Sequence, residues 1–152
     1  MPPVLVKHIM TAEVVTFFPE QTLSLADEVM RIHKFHHLPV VDAEHRLLGM
    51  VTDRDILSAK VSSVREVADT TRELLESAIL IRDIMSVELW SVRPDSKASA
   101  AGSLLLDHRF SSLPVTDDSG KLVGIVTERD FLRFAIRTLA MHDDTTGETN
   151  PL

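Results

Sequence analysis

Residues 37–55 read HLPVVDAEHRLLGMVTDRD, and residues 112–130 read SLPVTDDSGKLVGIVTERD. The second stretch begins 75 positions after the first, and the whole chain lies on itself at that offset without a gap. Leu38-Pro39-Val40 matches Leu113-Pro114-Val115, and Gly49 matches Gly124. Val51-Thr52 matches Val126-Thr127, and Arg54-Asp55 matches Arg129-Asp130. Working outward, Ile9-Met10 falls on Ile84-Met85, Pro19 on Pro94, and His33 and Phe35 on His108 and Phe110. One unit of about fifty residues is therefore written twice.

Both copies carry the same local signals. Val14-Val15-Thr16 and Leu89-Trp90-Ser91 read as short strands, each followed by a proline turn at Pro19 or Pro94. A helix follows, with Ala26, Val29, Met30 and His33 on one face, or Ala101, Leu104, Leu105 and His108 in the second copy. Pro39 and Pro114 stop the helical pattern and open strands at Val40-Val41 and Val115. A hairpin turn comes next, weak in Asp42-Ala43-Glu44-His45 and clear in Asp117-Asp118-Ser119-Gly120. Strands Leu47 to Thr52 and Leu122 to Thr127 then run into helices beginning near Asp53 and Glu128.

The expected fold is α+β, in the order β-α-β-β-α twice. The first repeat is placed at 6–57, and the second, with a C-terminal helix, at 81–141. Between them, 58–80 is a connector with its own helix, opened by a cap at Ser63-Val64-Arg65-Glu66 and apolar along Val67, Leu74, Leu75 and Ala78. The polar tail 142–152 is expected to lack structure. A unit this small buries only about 60% of its unfolded surface, so the repeats are expected to pack their sheets together with pseudo-twofold symmetry. Clefts between like units follow from such packing.

Composition narrows the functional classes. The 152 residues carry a net charge of -7, with 44% hydrophobic and 26% charged positions. That balance suits a globular protein and argues against a general binder of nucleic acid or anionic membranes, which needs a cationic face. No apolar run approaches the ~20 residues needed to cross a bilayer, and the first residues lack the order of a signal peptide. There is no cysteine, which removes disulfides, thiolate metal sites and cysteine nucleophiles, and agrees with a cytoplasmic chain. No nucleophile elbow, phosphate-binding loop or His-Glu-x-x-His motif occurs, so no catalytic residue is expected.

The Ile-Met near the start of each unit, the His-Leu-Pro-Val in the middle and the Gly-Met-Val-Thr-Asp-Arg-Asp at the end resemble a cystathionine beta-synthase (CBS) domain. The tandem resembles the CBS pair, or Bateman module, over Val6 to Leu57 and Ile81 to Leu132. The resemblance implies a disc-like pair, often dimerised, whose inter-repeat clefts bind adenosine derivatives such as AMP, ADP, ATP or S-adenosylmethionine. It implies a stand-alone regulatory, ligand-sensing module, homodimeric and not an enzyme, which acts alone or through a protein partner that the sequence does not name. By the same resemblance Gly49 and Gly124 bring the backbone close to the ligand, and Asp55 and Asp130 accept from the ribose hydroxyls.

Residue chemistry is compatible with those roles. A carboxylate is an acceptor only, so it can receive both hydroxyls of a ribose, but it would repel a phosphate. Thr52, Thr127 and the first N–H groups of the helices that follow could donate to phosphate, and Arg54 and Arg129 offer planar cations. His36 and His37 stand where related sensors place basic residues, opposite Ser111 and Ser112 in the second copy. Met10 and Met85 line an adenine slot or fill gaps in the core. Other readings remain open. Thr-x-x-Asp is also a helix cap that needs no ligand, and the histidines are also an exposed helix end. A protein-interaction scaffold with empty clefts is one alternative. A metal site using His33, His36 and His37 is another, although His108 repeats His33 without neighbouring histidines.

Overall fold

The computed structural model describes residues 2–63 and 69–146. In chain order its elements are α1 (Val6–Ile9), α2 (Leu23–His33), β1 (His37–Val41), β2 (Leu47–Thr52), α3 (Asp53–Ser63), α4 (Asp69–Ala78), α5 (Ile81–Ile84), α6 (Ala98–His108), β3 (Ser112–Thr116), β4 (Leu122–Thr127) and α7 (Glu128–Thr146). They form two compact units. The first comprises Glu13–Trp90 with the loop Thr116–Leu122. The second joins the N-terminal residues through Ala12 to Ser91–Val115 and to the chain from Val123 onward.

The amphipathic helices form as their spacing predicts. The Thr22 hydroxyl accepts from the Leu25 N–H at 3.3 Å and starts α2, which buries Leu23, Ala26 and Met30. Its counterpart α6 buries Ala98, Ala101 and Leu105. Both helices end on a residue in the left-handed conformation, Lys34 and Arg109, each at φ 56°. Across those turns His33 stacks on Phe35 at 5.4 Å and His108 on Phe110 at 5.2 Å between ring centroids. These stacks occupy the repeated His-x-Phe motif and brace a backbone conformation that side-chain-bearing residues rarely adopt.

β1 and β2 pair antiparallel, with Leu38 opposite Val51 and Val40 opposite Gly49, and β3 and β4 form a second two-stranded sheet. The strand expected at Val14–Thr16 shrinks to one parallel bridge between Phe17 and Val40. Phe17 donates to the Pro39 carbonyl at 2.9 Å and accepts from the Val41 N–H at 2.9 Å. The next rung toward Val15 would need an N–H from Pro39, which has none. The expected strand at Leu89–Ser91 shortens alike, because Val92 bonds to Pro114 and the rung before it meets the same proline.

The short helices α1 and α5 were not legible as elements, yet they close the cores. Ile81 is fully buried with Phe17, Leu23, Leu38, Val40 and Val51 in the first unit. The Leu23 N–H donates to Ile79 O at 2.9 Å, Ile81 N–H to Gln21 O at 2.8 Å and Arg82 N–H to Pro19 O at 3.0 Å. The second unit repeats the pattern with Val6, which is fully buried beside Val92, Leu105, Leu113 and Val126. There Ala98 donates to Val4 at 2.8 Å, Val6 to Ser96 at 2.9 Å and Lys7 to Pro94 at 3.0 Å. The opening residues of each sequence repeat thus complete the core built mainly from the other repeat.

The expected cap at Ser63-Val64-Arg65-Glu66 runs through residues outside the described ones, as does Val67. Leu74 and Leu75 on α4 are exposed. The tail expected to be unstructured from His142 is helical as far as Thr146, where the Thr145 hydroxyl donates to the Met141 carbonyl at 2.9 Å. Among the described residues no helix is long and apolar enough to cross a membrane.

Burying an isoleucine side chain stabilises by roughly 1.5–3 kcal/mol, so Ile81 is a large share of so small a core. A chain ending at Ser63 should show no cooperative thermal transition by circular dichroism, whereas Glu13–Trp90 should show one. Equal melting of both fragments would mean that α5 is dispensable.

Candidate functional site

Each unit holds one Gly-x-x-Thr-x-x-Asp station at the end of a strand and the start of a helix: β2 to α3, and β4 to α7. At Gly49 a Cβ atom would lie 2.7 Å from Met85 Sδ and 2.9 Å from the Ser86 carbonyl oxygen. At Gly124 it would lie 2.7 Å from Met10 Sδ and 2.9 Å from the Thr11 carbonyl oxygen. Main-chain bonds fix both approaches: Met50 and Ser86 exchange bonds of 3.0 and 2.9 Å, and Thr11 and Ile125 exchange two of 2.9 Å. The glycines are therefore needed by the chain's own backbone and sulfur atoms. Met10 and Met85 pack against the hydrophobic clusters of their units, where their flexible thioethers fill the space over glycine.

Thr52 and Asp55 form a reciprocal cap. Asp55 Oδ2 accepts from the Thr52 N–H at 2.8 Å and the Thr52 hydroxyl at 3.0 Å, while Thr52 Oγ1 accepts from the Asp55 N–H at 3.3 Å. Thr127 and Asp130 repeat it at 2.8, 3.1 and 3.3 Å. The carboxylates differ in what else they meet. Asp130 is only 6% exposed, and its Oδ1 accepts from the Thr11 hydroxyl at 3.3 Å and lies 3.8 Å from the Arg133 guanidinium. Asp55 is half-buried, and among the described residues its Oδ1 accepts no hydrogen bond.

The helix N–H groups expected as phosphate donors are mostly taken. Asp53 N–H donates to His36 O at 3.2 Å, Arg54 N–H to Asp53 Oδ1 at 2.9 Å, and Asp55 N–H to the Thr52 hydroxyl. The start of α3 is thus closed by the chain itself. At α7, Glu128 N–H donates to Ser111 O at 3.3 Å and Asp130 N–H to the Thr127 hydroxyl, while Arg129 N–H has no partner among the described residues. The difference follows from Asp53, whose short side chain folds back onto its own helix, against the longer Glu128.

His36 Nδ1 lies 3.1 Å from Asp53 Oδ2 in an exposed ion pair, and the His36 and His37 rings meet edge to face at 6.5 Å. Partial burial pushes the Asp53 carboxyl up, but the bond to His36, the Arg54 N–H and the charges of His36 and His37 outweigh it and hold it below the ordinary value. Arg54 and Arg129 are exposed and form no ion pair among the described residues. The histidine metal set does not assemble: His33 stacks on Phe35, His36 faces Asp53, and no three potential ligands gather among the described residues. Asp53 and Thr11 were missed. Their one sequence signal was a difference between aligned positions, Asp53 against Glu128 and Thr11 against Ser86.

A family profile described as the CBS domain matches residues 6–62 and 81–137. Among curated relatives, the CBS domain-containing protein YhcV of Bacillus subtilis is 35% identical over 82% of this chain and 81% of its own length. Inosine-5'-monophosphate dehydrogenase of Methanocaldococcus jannaschii is 30% identical over 83% of this chain, which spans only 22% of that enzyme. Among solved structures, a Vibrio cholerae protein described as an acetoin utilization protein (AcuB) has a TM-score of 0.81 at 29% identity, covering 99% of this chain and 100% of that one. CBSX2 of Arabidopsis thaliana in complex with AMP has a TM-score of 0.74 at 28% identity, covering 88% and 97%. The CBS domain pair of protein MJ0100, in complex with 5'-methylthioadenosine and S-adenosyl-L-methionine, has a TM-score of 0.73 at 26% identity, covering 90% and 99%.

The depressed Asp53 carboxyl fixes a sign. Its contribution to stability is present above the ordinary carboxylate pKa and is lost as pH falls through the lower, folded value. Carbon-detected NMR titration should place the Asp53 midpoint below that of an ordinary aspartate, and His36→Ala should raise it. An unmoved midpoint in that variant would break the assignment of the shift to His36.

Proposed function

The chain belongs to the CBS domain family and carries two copies of the domain in tandem, and from that premise we propose that it is a regulatory module that binds adenosine derivatives: AMP, ADP, ATP or S-adenosylmethionine. The observation that carries the proposal is the duplicated Thr-x-x-Asp station, with Asp55 keeping one carboxylate oxygen without a partner among the described residues. Capping and ligand binding do not compete there. The cap uses Oδ2, and Oδ1 is left to accept a ribose hydroxyl with charge assistance. Support comes from CBSX2 in complex with AMP and from the MJ0100 pair with its two adenosine ligands. The enzyme among the relatives lends no activity, because this chain spans only 22% of it. The module's output is binding, with no catalytic step, and it is read by a protein that it regulates.

Calorimetric titration of nucleotide-stripped protein with AMP, ATP and S-adenosylmethionine should find binding to at least one of them. Asp55→Ala should weaken it roughly ten- to a hundredfold, the worth of a hydrogen bond to a charged acceptor. No binding of any of the three at millimolar concentration would leave the scaffold reading in its place.

We infer also that the module is a homodimer joined through α7. Leu132, Ile136 and Leu139 stand at i, i+4 and i+7 on that helix and are 60%, 57% and 63% exposed. A continuous apolar stripe of this kind is uncommon on a free surface. Light scattering should give twice the chain mass, and Ile136→Glu should give the monomer; a monomeric wild type at high micromolar concentration would defeat the inference.

A further inference from the structure

We propose that Thr11 makes the two Thr-x-x-Asp stations unequal: its hydroxyl occupies, on Asp130, the acceptor position that a ribose hydroxyl would take. The Asp55 station then binds an adenosine ligand more tightly, and the Asp130 station binds only when Thr11 lets go. The inference rests on the reading of these stations as adenosine sites.

The chemistry at Asp130 is that of the expected ligand, supplied by the chain itself. The Thr11 hydroxyl donates to Asp130 Oδ1 at 3.3 Å across 119 positions of sequence. Oδ2 is filled by the Thr127 N–H and hydroxyl, the Arg133 guanidinium stands 3.8 Å from Oδ1, and the residue is 6% exposed. A ribose diol brings two O–H donors, and Thr11 already uses part of the one oxygen that the cap leaves open.

At Asp55 the cap is the same and the latch is missing. The residue aligned with Thr11 is Ser86, and its main chain pairs with Met50 as Thr11 pairs with Ile125. Among the described residues, however, the Ser86 hydroxyl makes no bond to Asp55. Threonine is β-branched and restricted about χ1, so its hydroxyl has fewer directions open to it than that of serine. Thr11 itself is held in place by Met10 over Gly124 and by Val6 in the core. The latch is therefore a built contact and does not depend on a mobile side chain.

The test is titration with AMP in the Asp55→Ala chain, where only the Asp130 station is left to bind. Adding Thr11→Val, which keeps shape and removes the hydroxyl, should tighten binding about tenfold. Thr11→Ser, which relaxes the restriction about χ1 and gives the residue aligned at Ser86, should also tighten it, and it serves if valine destabilises the unit. Ser86→Ala should change AMP affinity in neither background. Unchanged or weaker binding in both folded Thr11 variants overturns the inference while the ligand reading stands. Failure of wild-type protein to bind AMP, ATP or S-adenosylmethionine overturns the ligand reading, and this inference with it.

Discussion

At Gly49 and Gly124 a methionine sulfur and a backbone carbonyl come so close that no side chain fits between them and the strand. That approach lets Thr11 pair with Ile125 on β4 and Ser86 with Met50 on β2, in main-chain bonds that a β-carbon would pry apart. The same segments carry Val6 and Ile81 into the cores that they close. The same docking carries Thr11 and Ser86 to the strand ends where the Thr-x-x-Asp stations begin. One steric constraint therefore fixes both the packing and the surroundings of the candidate site.

How a helix cap could also serve as the proposed ligand station follows from the accounting of carboxylate lone pairs. A cap needs one oxygen to take the N–H and hydroxyl of the threonine three residues earlier. The other oxygen is then held in a fixed direction by a helix that has no freedom to turn it. Such a group is costly to leave buried without a donor, and a buried carboxylate gains most from whichever hydroxyl arrives. At Asp130 that hydroxyl is Thr11, and at Asp55 the position is open among the described residues. The capping role and the proposed ligand-binding role of these residues are thus compatible uses of one preorganised acceptor.

The repeat, the amphipathic helices and the hairpins were legible because each is written in local periodicity and in matched residues 75 positions apart. The exchange of lead segments was not legible. Ile81 and Val6 sit in four-residue helices too short for any periodic signal, and sequence distance gives no reason for Ile81 to pack on Phe17. The missing first strands had a local cause that sequence held but pattern reading overlooked: Pro39 and Pro114 lack the N–H that a longer parallel ladder needs. Of the candidate site, the glycines, threonines and aspartates were found by motif. The pairings were not, since the Met10–Gly124 and Thr11–Asp130 contacts join residues more than a hundred positions apart.

The residues that break the symmetry are small substitutions with opposite effects. Asp53 in place of a longer glutamate folds back to take the Arg54 N–H and draws His36 onto itself, closing the start of α3 to an incoming anion. Glu128 at the aligned position makes no such bond, and the Arg129 N–H is left without a partner among the described residues. Thr11 in place of serine works the other way, engaging the carboxylate of the station whose helix start is more open. Each station therefore has one of its two polar features satisfied from within: the anion-facing N–H groups at α3, and the hydroxyl acceptor at α7. Under the proposed reading, a ligand with both a ribose and a phosphate would meet a different obstacle at each. Near-identical motifs in one chain can in this way present unlike chemistry, because selectivity lies in the residues beside the motif.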